Sequence, residues 1–428
     1  MNRLALKLLG SAPVRPWAVR GLVLTERLTS GVSFDPLSAS YRDNPYPTYR
    51  RLQARDPVHW SRLVQGWVIT RHADVIDLLR DDRFSADRMK AEAFEQARRE
   101  RKGRPFQRFM EQNLLGLDPP DHTRLRGLVT QAFTPRVVED MRSHIGSIVR
   151  DLLDAVEANG SMDLIGDLAY PLPVIVIAEM LGVPPEDRDR FKRWSDQLGA
   201  GIDPLVEPDV LAIADQAVVE LREYFEPLFA ARRAEPRGDL ISALVEAEEA
   251  GERLNEEELY ATCILLLAAG NETTTNLIGN GMLALLRHPD QFALLRDDPS
   301  LIEPAVEEML RYDGPVQLTS RVAMEDVWIS GTRVAAGEFT VAMLGAANRD
   351  PLQFADAATF KIDREDNRHA AFGHGIHFCL GAPLARLEAQ VAIPLLLERM
   401  PNLQLATSAP TWRQMTVLRG LKRLPVTF

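Results

Sequence analysis

The sequence predicts a mainly α-helical fold with small β-sheets. Apolar residues recur at three- and four-residue spacing through several long segments, and strand-like pieces are short and few. No Gly/Ser- or Pro-rich linker, low-complexity tract or internal repeat divides the chain. At 428 residues the length alone would suit about three domains, but the absence of any break argues for fewer. The expectation is a leader over residues 1–34 and a single domain over 35–428.

In chain order, the leader carries Arg3, Lys7, Arg15, Arg20 and Arg27 against Glu26, with apolar pieces such as Leu4-Ala5-Leu6 between them. It reads as a poorly ordered leader or as a basic interfacial helix, and it has no clear signal-peptide core and cleavage site. Residues 58–60 and 67–70 read as a hairpin with Gly66 in its turn. Helical periodicity follows at 145–158, 210–231, Glu256–Leu286 and 302–312. Asn255 ahead of three glutamates is a start signal for the third of these. That helix would be about 45 Å long, and it is apolar all round from Cys263 to Ala269, as a buried central helix should be.

Gly270-Asn271-Glu272-Thr273-Thr274-Thr275 then interrupts the apolar run. Either the helix surfaces here or the polar cluster serves a site. A second hairpin is expected from 327–329 and 339–341, with Gly331 and Gly337 in its turns. The last helix, Ala382–Arg399, opens with Pro383, a residue suited to a first turn.

Composition excludes several functions. A formal charge of −11 argues against general nucleic-acid binding, which needs a basic footprint. No run approaches the roughly 20 apolar residues of a transmembrane helix, so no transmembrane anchor is expected. Two cysteines, Cys263 and Cys379, cannot form a disulfide framework, which favours a reducing, cytoplasmic setting, and they exclude zinc-finger spacing.

The two cysteines differ in context. Cys263 sits on an apolar helix and reads as a small buried hydrophobe. Cys379 lies in Phe372-Gly373-His374-Gly375-Ile376-His377-Phe378-Cys379-Leu380-Gly381. Its two preceding glycines permit positive φ, and Gly381 is expected to let the following helix approach closely. A cysteine just ahead of a helix N-terminus meets unpaired N–H groups that stabilise a thiolate.

This loop resembles the haem-ligand loop of the cytochrome P450 superfamily, of the soluble bacterial type, in its Phe-Gly-x-Gly-x-His-x-Cys-x-Gly pattern. Three further motifs agree in order: Ala269-Gly270-Asn271-Glu272-Thr273 with the family's I helix, Glu308-Met309-Leu310-Arg311 with its K helix, and Asn348-Arg349-Asp350-Pro351. The resemblance runs from about Asp35 to the C-terminus. It implies a fold that holds haem between the long I helix and the cysteine loop with its L helix, the cofactor being haem b (iron protoporphyrin IX). Cys379 would be the axial iron ligand, and Phe372, Gly373, Ala269 and Gly270 would contact the haem. His122, Arg126, Arg321 and His377 would meet its propionates. Glu308 and Arg311 would form a buried structural pair, joined by Arg364.

The resemblance also implies the chemistry. A thiolate ligand favours O–O cleavage, so dioxygen and two electrons would hydroxylate a lipophilic small molecule. Thr273 would position water and bound oxygen, and Glu272 would relay protons. The substrate pocket would take Leu265, Val316, Leu318, Met415 and Thr416, with the segments 84–117 and 198–211. No flavin fingerprint or ferredoxin-like cysteine cluster is encoded, so a separate ferredoxin and ferredoxin reductase, or a flavodoxin, would supply electrons. The basic run Arg98–Arg104 reads as solvated charge. The competing readings are a peroxide-using peroxygenase and a non-catalytic haem-binding sensor. The Glu272–Thr273 pair argues against both.

Overall fold

Asn255 starts the element around which the rest is built. Its side chain accepts from the Glu258 N–H while the Glu258 carboxylate accepts from the Asn255 N–H, a reciprocal cap. The helix that follows, Glu256–Leu286, runs 31 residues without a break. The computed structural model describes residues 15–203, 208–249 and 254–428. In it this helix is buried along most of its length, including Asn271, Glu272, Thr274 and Thr275. The polar cluster is therefore not a place where the helix surfaces.

Helices surround it because its apolar surface has no other cover. Pro171–Leu181 and Arg188–Ile202 pack along one stretch, Ile302–Asp313 and Ala382–Arg399 along another. The other expected helices extend over Arg142–Glu157 and Pro208–Ala234.

The strands are β1 (Val58–Ser61), β2 (Gly66–Ile69), β3 (Phe84–Ser85), β4 (Ser161–Asp163), β5 (Thr319–Ala323), β6 (Val327–Ile329), β7 (Thr332–Val334), β8 (Phe339–Ala342), β9 (Gln404–Leu405) and β10 (Pro425–Thr427). They form a five-stranded sheet in the order β1-β2-β8-β5-β3, a sheet β4-β10-β9 and the pair β6-β7.

Two turn assignments differ from the sequence reading. Gly66 lies inside β2 opposite Ser61, not in the turn. Its lack of a side chain serves the parallel pairing with β8, since a Cβ there would sit 2.4 Å from the Phe339 carbonyl oxygen. β6 pairs with β7 and not with residues 339–341. Ser330 and Gly331 both take positive φ, 44° and 81°, the conformation a two-residue hairpin turn demands. This frees Phe339–Ala342 to join the larger sheet, where it aligns Thr340 opposite Arg321.

Of the leader, residues 1–14 lie outside the described residues, and Arg15–Ser30 form a helix. Its Glu26 is buried against β1, accepting from the N–H groups of Phe34 (3.0 Å) and Arg62 (2.5 Å) and from Ser61 Oγ (3.1 Å). Burial alone would raise that carboxyl. His59 and these donors outweigh it and hold it below the usual range.

Candidate active site

The cysteine loop is closed by its own backbone. Gly373 and Gly375 adopt φ of 71° and 70°, and the Cys379 N–H donates to the Phe372 carbonyl at 3.0 Å. Gly375 admits no side chain, because a Cβ would meet the Leu79 carbonyl oxygen at 2.3 Å. Gly381 has a different role from the expected one. No protein atom lies within 4 Å of its Cβ position, so it does not allow a close helix approach. It lines the cavity beside the sulfur and leaves that surface bare.

Cys379 opens onto a large cavity and is otherwise enclosed by protein. Enclosure pushes its thiol up. Amide N–H groups of Gly381 and Ala382 and the charges of Arg126 and Arg386 oppose this. The helix-terminal donors expected from sequence thus face the sulfur, but in the bare chain burial outweighs them. Cys263 is fully buried in the central helix, where burial raises its thiol well above the usual range, and it is not part of the cavity wall.

Arg126, Arg321 and His377 reach the same cavity, and His122 stands behind His377 with ring centroids 4.2 Å apart. Each is poorly satisfied. Both ring nitrogens of buried His122 lack a hydrogen-bond partner. Arg321 is buried on β5 and donates only to neighbouring groups, Ser320 O at 2.7 Å and Thr319 Oγ1 at 3.3 Å. Burial, reinforced by Arg88, lowers its guanidinium to about 10, and burial with Arg321 and His122 lowers His377 to about 3. Arg126 donates to the Phe378 carbonyl at 2.6 Å. None of the four forms an ion pair among the described residues. Convergent cations depress one another's charge in this way until an anion joins them. A dianionic group with a flat apolar body, its metal over Cys379, fits this donor set, and haem is such a group.

On the opposite wall, Ala269, Gly270 and Thr273 of the central helix face the cavity. Thr273 Oγ1 donates to the Ala269 carbonyl at 2.8 Å, which leaves its lone pairs to accept from whatever occupies the cavity. Glu272 also reaches the cavity, but its carboxylate turns toward Arg413, whose Nη1 stands 3.4 Å from it and 2.9 Å from Asp196. The chain Glu272–Arg413–Asp196 leads from a buried acid to a half-exposed one. Arg413 and Asp196 carry no motif and were not legible in the sequence.

Burial raises the Glu272 carboxyl from 4.5 to about 7; Arg413 works against this and Asp196 for it. An acid whose folded-state pKa exceeds its unfolded value weakens the fold as pH climbs between the two values, after which the cost stays constant. Glu272→Gln removes that cost. The variant should gain about 2–3 kcal/mol over the wild type at pH 8 and almost nothing at pH 4.5. Urea unfolding at the two pH values measures the difference, and a pH-independent gap would contradict the buried-acid assignment.

The expected lining residues Leu265, Val316, Leu318 and Thr416 are in the wall. Met415 is not. Its Cε lies 3.6 Å from the Cβ position of Gly199, a residue of the wall, and the next residue, Thr416, is held to Asp203 by its N–H (2.9 Å) and its hydroxyl (2.7 Å). The segments 84–117 and 198–211 contribute Arg88, Phe109, Leu114, Leu198 and Ile202. Phe34, Val64 and Leu79 were missed, since nothing local marks an apolar residue as facing a cavity and not a core. Arg88 lies in the expected segment 84–117 but was not singled out. Its guanidinium donates to the Ile202 carbonyl at 3.3 Å and is a cation of the wall on neither the cysteine loop nor β5.

Behind the loop, Arg311 and Glu308 are fully buried and bidentate, with both bonds at 2.7 Å. Arg364 adds a bond of 3.1 Å to the same carboxylate, and Arg311 also donates to the carbonyls of Asn348, Ala357 and Thr359. Asn348 Oδ1 accepts from the Ala370 N–H at 2.7 Å, which fixes the strand of chain entering the loop. Arg386 clasps Glu307 with bonds of 2.6 and 2.8 Å and lies over the Phe372 ring. The basic run Arg98–Arg104 begins on the helix Glu95–Arg101, where exposed Arg99 pairs with Glu95, and ends at partly buried Arg104, which pairs with Asp215.

The family model of Cytochrome P450 matches residues 205–401. Cytochrome P450 107B1 of Saccharopolyspora erythraea is 45% identical over 403 residues, covering 92% of this chain and 97% of that protein. Cytochrome P450 monooxygenase PikC of Streptomyces venezuelae is 44% identical over 400 residues, 91% of this chain and 92% of that one. Among solved structures, the myxobacterial cytochrome P450 CYP267B1 in complex with myristic acid superposes with a TM-score of 0.85 at 44% identity, covering 92% of this chain and 98% of its own.

Proposed function

Because the chain belongs to the cytochrome P450 family of bacterial monooxygenases acting on small lipophilic substrates, we propose that it hydroxylates a lipophilic molecule with dioxygen and two electrons from a separate ferredoxin and reductase, or a flavodoxin, in the cytoplasm. The observation that carries this reading is the cavity on which Cys379, Arg126, Arg321, His377 and Thr273 converge.

Haem b would be held by Cys379 at the metal and by Arg126, Arg321, His122 and His377 at the two propionates, and it supplies the activation of oxygen when bound. The remaining work belongs to side chains. Thr273, oriented by its bond to Ala269 O, accepts a proton-bearing partner and holds a water beside the apolar side chains of its wall. Glu272, with a pKa raised to about 7, exchanges a proton near neutral pH, and Arg413, a fixed cation, orients its carboxylate and ties it to half-exposed Asp196. Apolar side chains such as Leu265, Leu198 and Ile202 exclude water and select a lipophilic substrate. The myxobacterial relative bound to myristic acid supports that class.

The test is reconstitution with a surrogate ferredoxin system, comparing wild type with Thr273→Ala. Loss of the hydroxyl should cut product formation by about 100-fold while reductant consumption continues, the difference appearing as hydrogen peroxide. Equal coupling in the two proteins would remove Thr273 from proton delivery. No product from any lipophile, and no sustained consumption of reductant, would favour the sensor reading.

A further inference from the structure

The helix Arg15–Ser30 has two unlike faces. Val19 and Glu26 point inward and are buried. On the other side, Trp17, Leu24 and Leu28 follow one another at spacings of seven and four, so they share a narrow arc of the helix. They are 72%, 56% and 78% exposed. Arg20 and Arg27 flank this ridge, and the Arg20 guanidinium lies 5.5 Å from the centre of the Trp17 ring. Neither arginine forms an ion pair among the described residues.

The charge around the ridge is one-sided. Residues 1–30 carry five cationic side chains and one acid, on a chain whose net charge is −11. That acid, Glu26, is turned inward and engaged by His59 at 3.3 Å. The outward face of Arg15–Ser30 therefore carries no acid.

A second copy of this acidic chain could meet the charge but offers no reason for a tryptophan-led ridge. An anionic bilayer surface meets both features. Trp and Leu enter the headgroup–acyl boundary, arginines bond phosphates while their stems stay in the apolar layer, and each adds about 1 kcal/mol near an anionic leaflet. The helix is 16 residues long and carries a buried acid on its inner face, too short to span. No helix of the described residues is long and apolar enough to cross a membrane.

We propose that the outer face of Arg15–Ser30 docks this protein on the surface of an anionic lipid membrane. The docking has a consequence that rests on the proposed function. Glu26 accepts from the N–H groups of Phe34 and Leu63, and Phe34 and the adjacent Val64 line the cavity. The helix is thus fastened to the cavity's own wall, and docking would bring that wall to the layer where a lipophilic substrate is dissolved.

The experiment is co-sedimentation of the full-length holoenzyme with extruded vesicles of phosphatidylglycerol and phosphatidylcholine in equal parts, and with phosphatidylcholine alone. Binding is expected to the first and to weaken with salt. Trp17→Ser with Leu28→Ser, and separately Arg20→Glu with Arg27→Glu, should each weaken it at least tenfold. Thermal unfolding and turnover of a water-dispersed substrate should stay unchanged, which separates failure of docking from failure of the catalytic reading. Three results would overturn the proposal: no binding to anionic vesicles at low salt, equal binding to both vesicle types, or a wild-type dimer in solution that the Trp17/Leu28 variant converts to monomer.

Discussion

Cys379→Ala is expected to abolish the strongly red-shifted Soret band of the reduced, carbon monoxide-treated protein and to reduce product formation to background, whereas Cys263→Ala retains both. The loop itself should survive, because the bond that closes it joins the Cys379 N–H to the Phe372 carbonyl and does not involve the side chain. What disappears is the sulfur that the N–H groups of Gly381 and Ala382 and the charges of Arg126 and Arg386 address. Cys263 cannot take its place, being buried in the central helix with its thiol pushed up and outside the cavity wall. The reduced, carbon monoxide-treated spectrum of each purified variant is the measurement. Persistence of the band in Cys379→Ala would contradict this assignment, because a histidine of the same wall, His374 or His377, would bind the metal without the red shift.

Glu308→Leu should cost about 3–5 kcal/mol of folding stability, because removing one partner of a buried pair leaves the other charge uncompensated. Here the effect is compounded. The Glu308 carboxylate accepts from Arg311 twice, from Arg364 and from the Lys361 N–H at 2.8 Å, and both members of the main pair are fully buried. The chain entering the cysteine loop hangs on the same network through Asn348, so haem retention should fall along with stability. Adding Arg311→Met to Glu308→Leu should recover part of the loss, since it removes the stranded charge. It should not recover all, because the carbonyls of Asn348, Ala357 and Thr359 would lose their donor. Urea unfolding of the holoenzyme distinguishes these outcomes. A loss under about 1 kcal/mol in the single variant would mean that solvent reaches the pair.

The central helix shows how much a local signal can specify. Its start at Asn255 needs only a capping side chain and a glutamate three residues later, and its extent follows from apolar residues on every face. The cysteine loop is equally local, since positive φ at two positions calls for Gly373 and Gly375 wherever the chain lies in space. Hairpin partners were less legible. Residues 327–329 were expected to pair with 339–341, and their actual pairing with Thr332–Val334 turns on a Ser330-Gly331 turn whose φ values a serine does not announce.

By itself, then, the sequence determined the helical class, the long buried helix, the sulfur at a helix N-terminus and the motifs that mark the family. These are properties of neighbours along the chain, set by backbone conformation and side-chain period. The tertiary structure alone decided which side chains share a charge environment. Arg413 lies 141 residues from the Glu272 it touches, and Thr416 of the cavity wall is held by Asp203, 213 residues away. Glu26 became a buried anchor only because β1 folds against it. Electrostatic energy depends on distance and burial in space, and neither is written in spacing along a sequence.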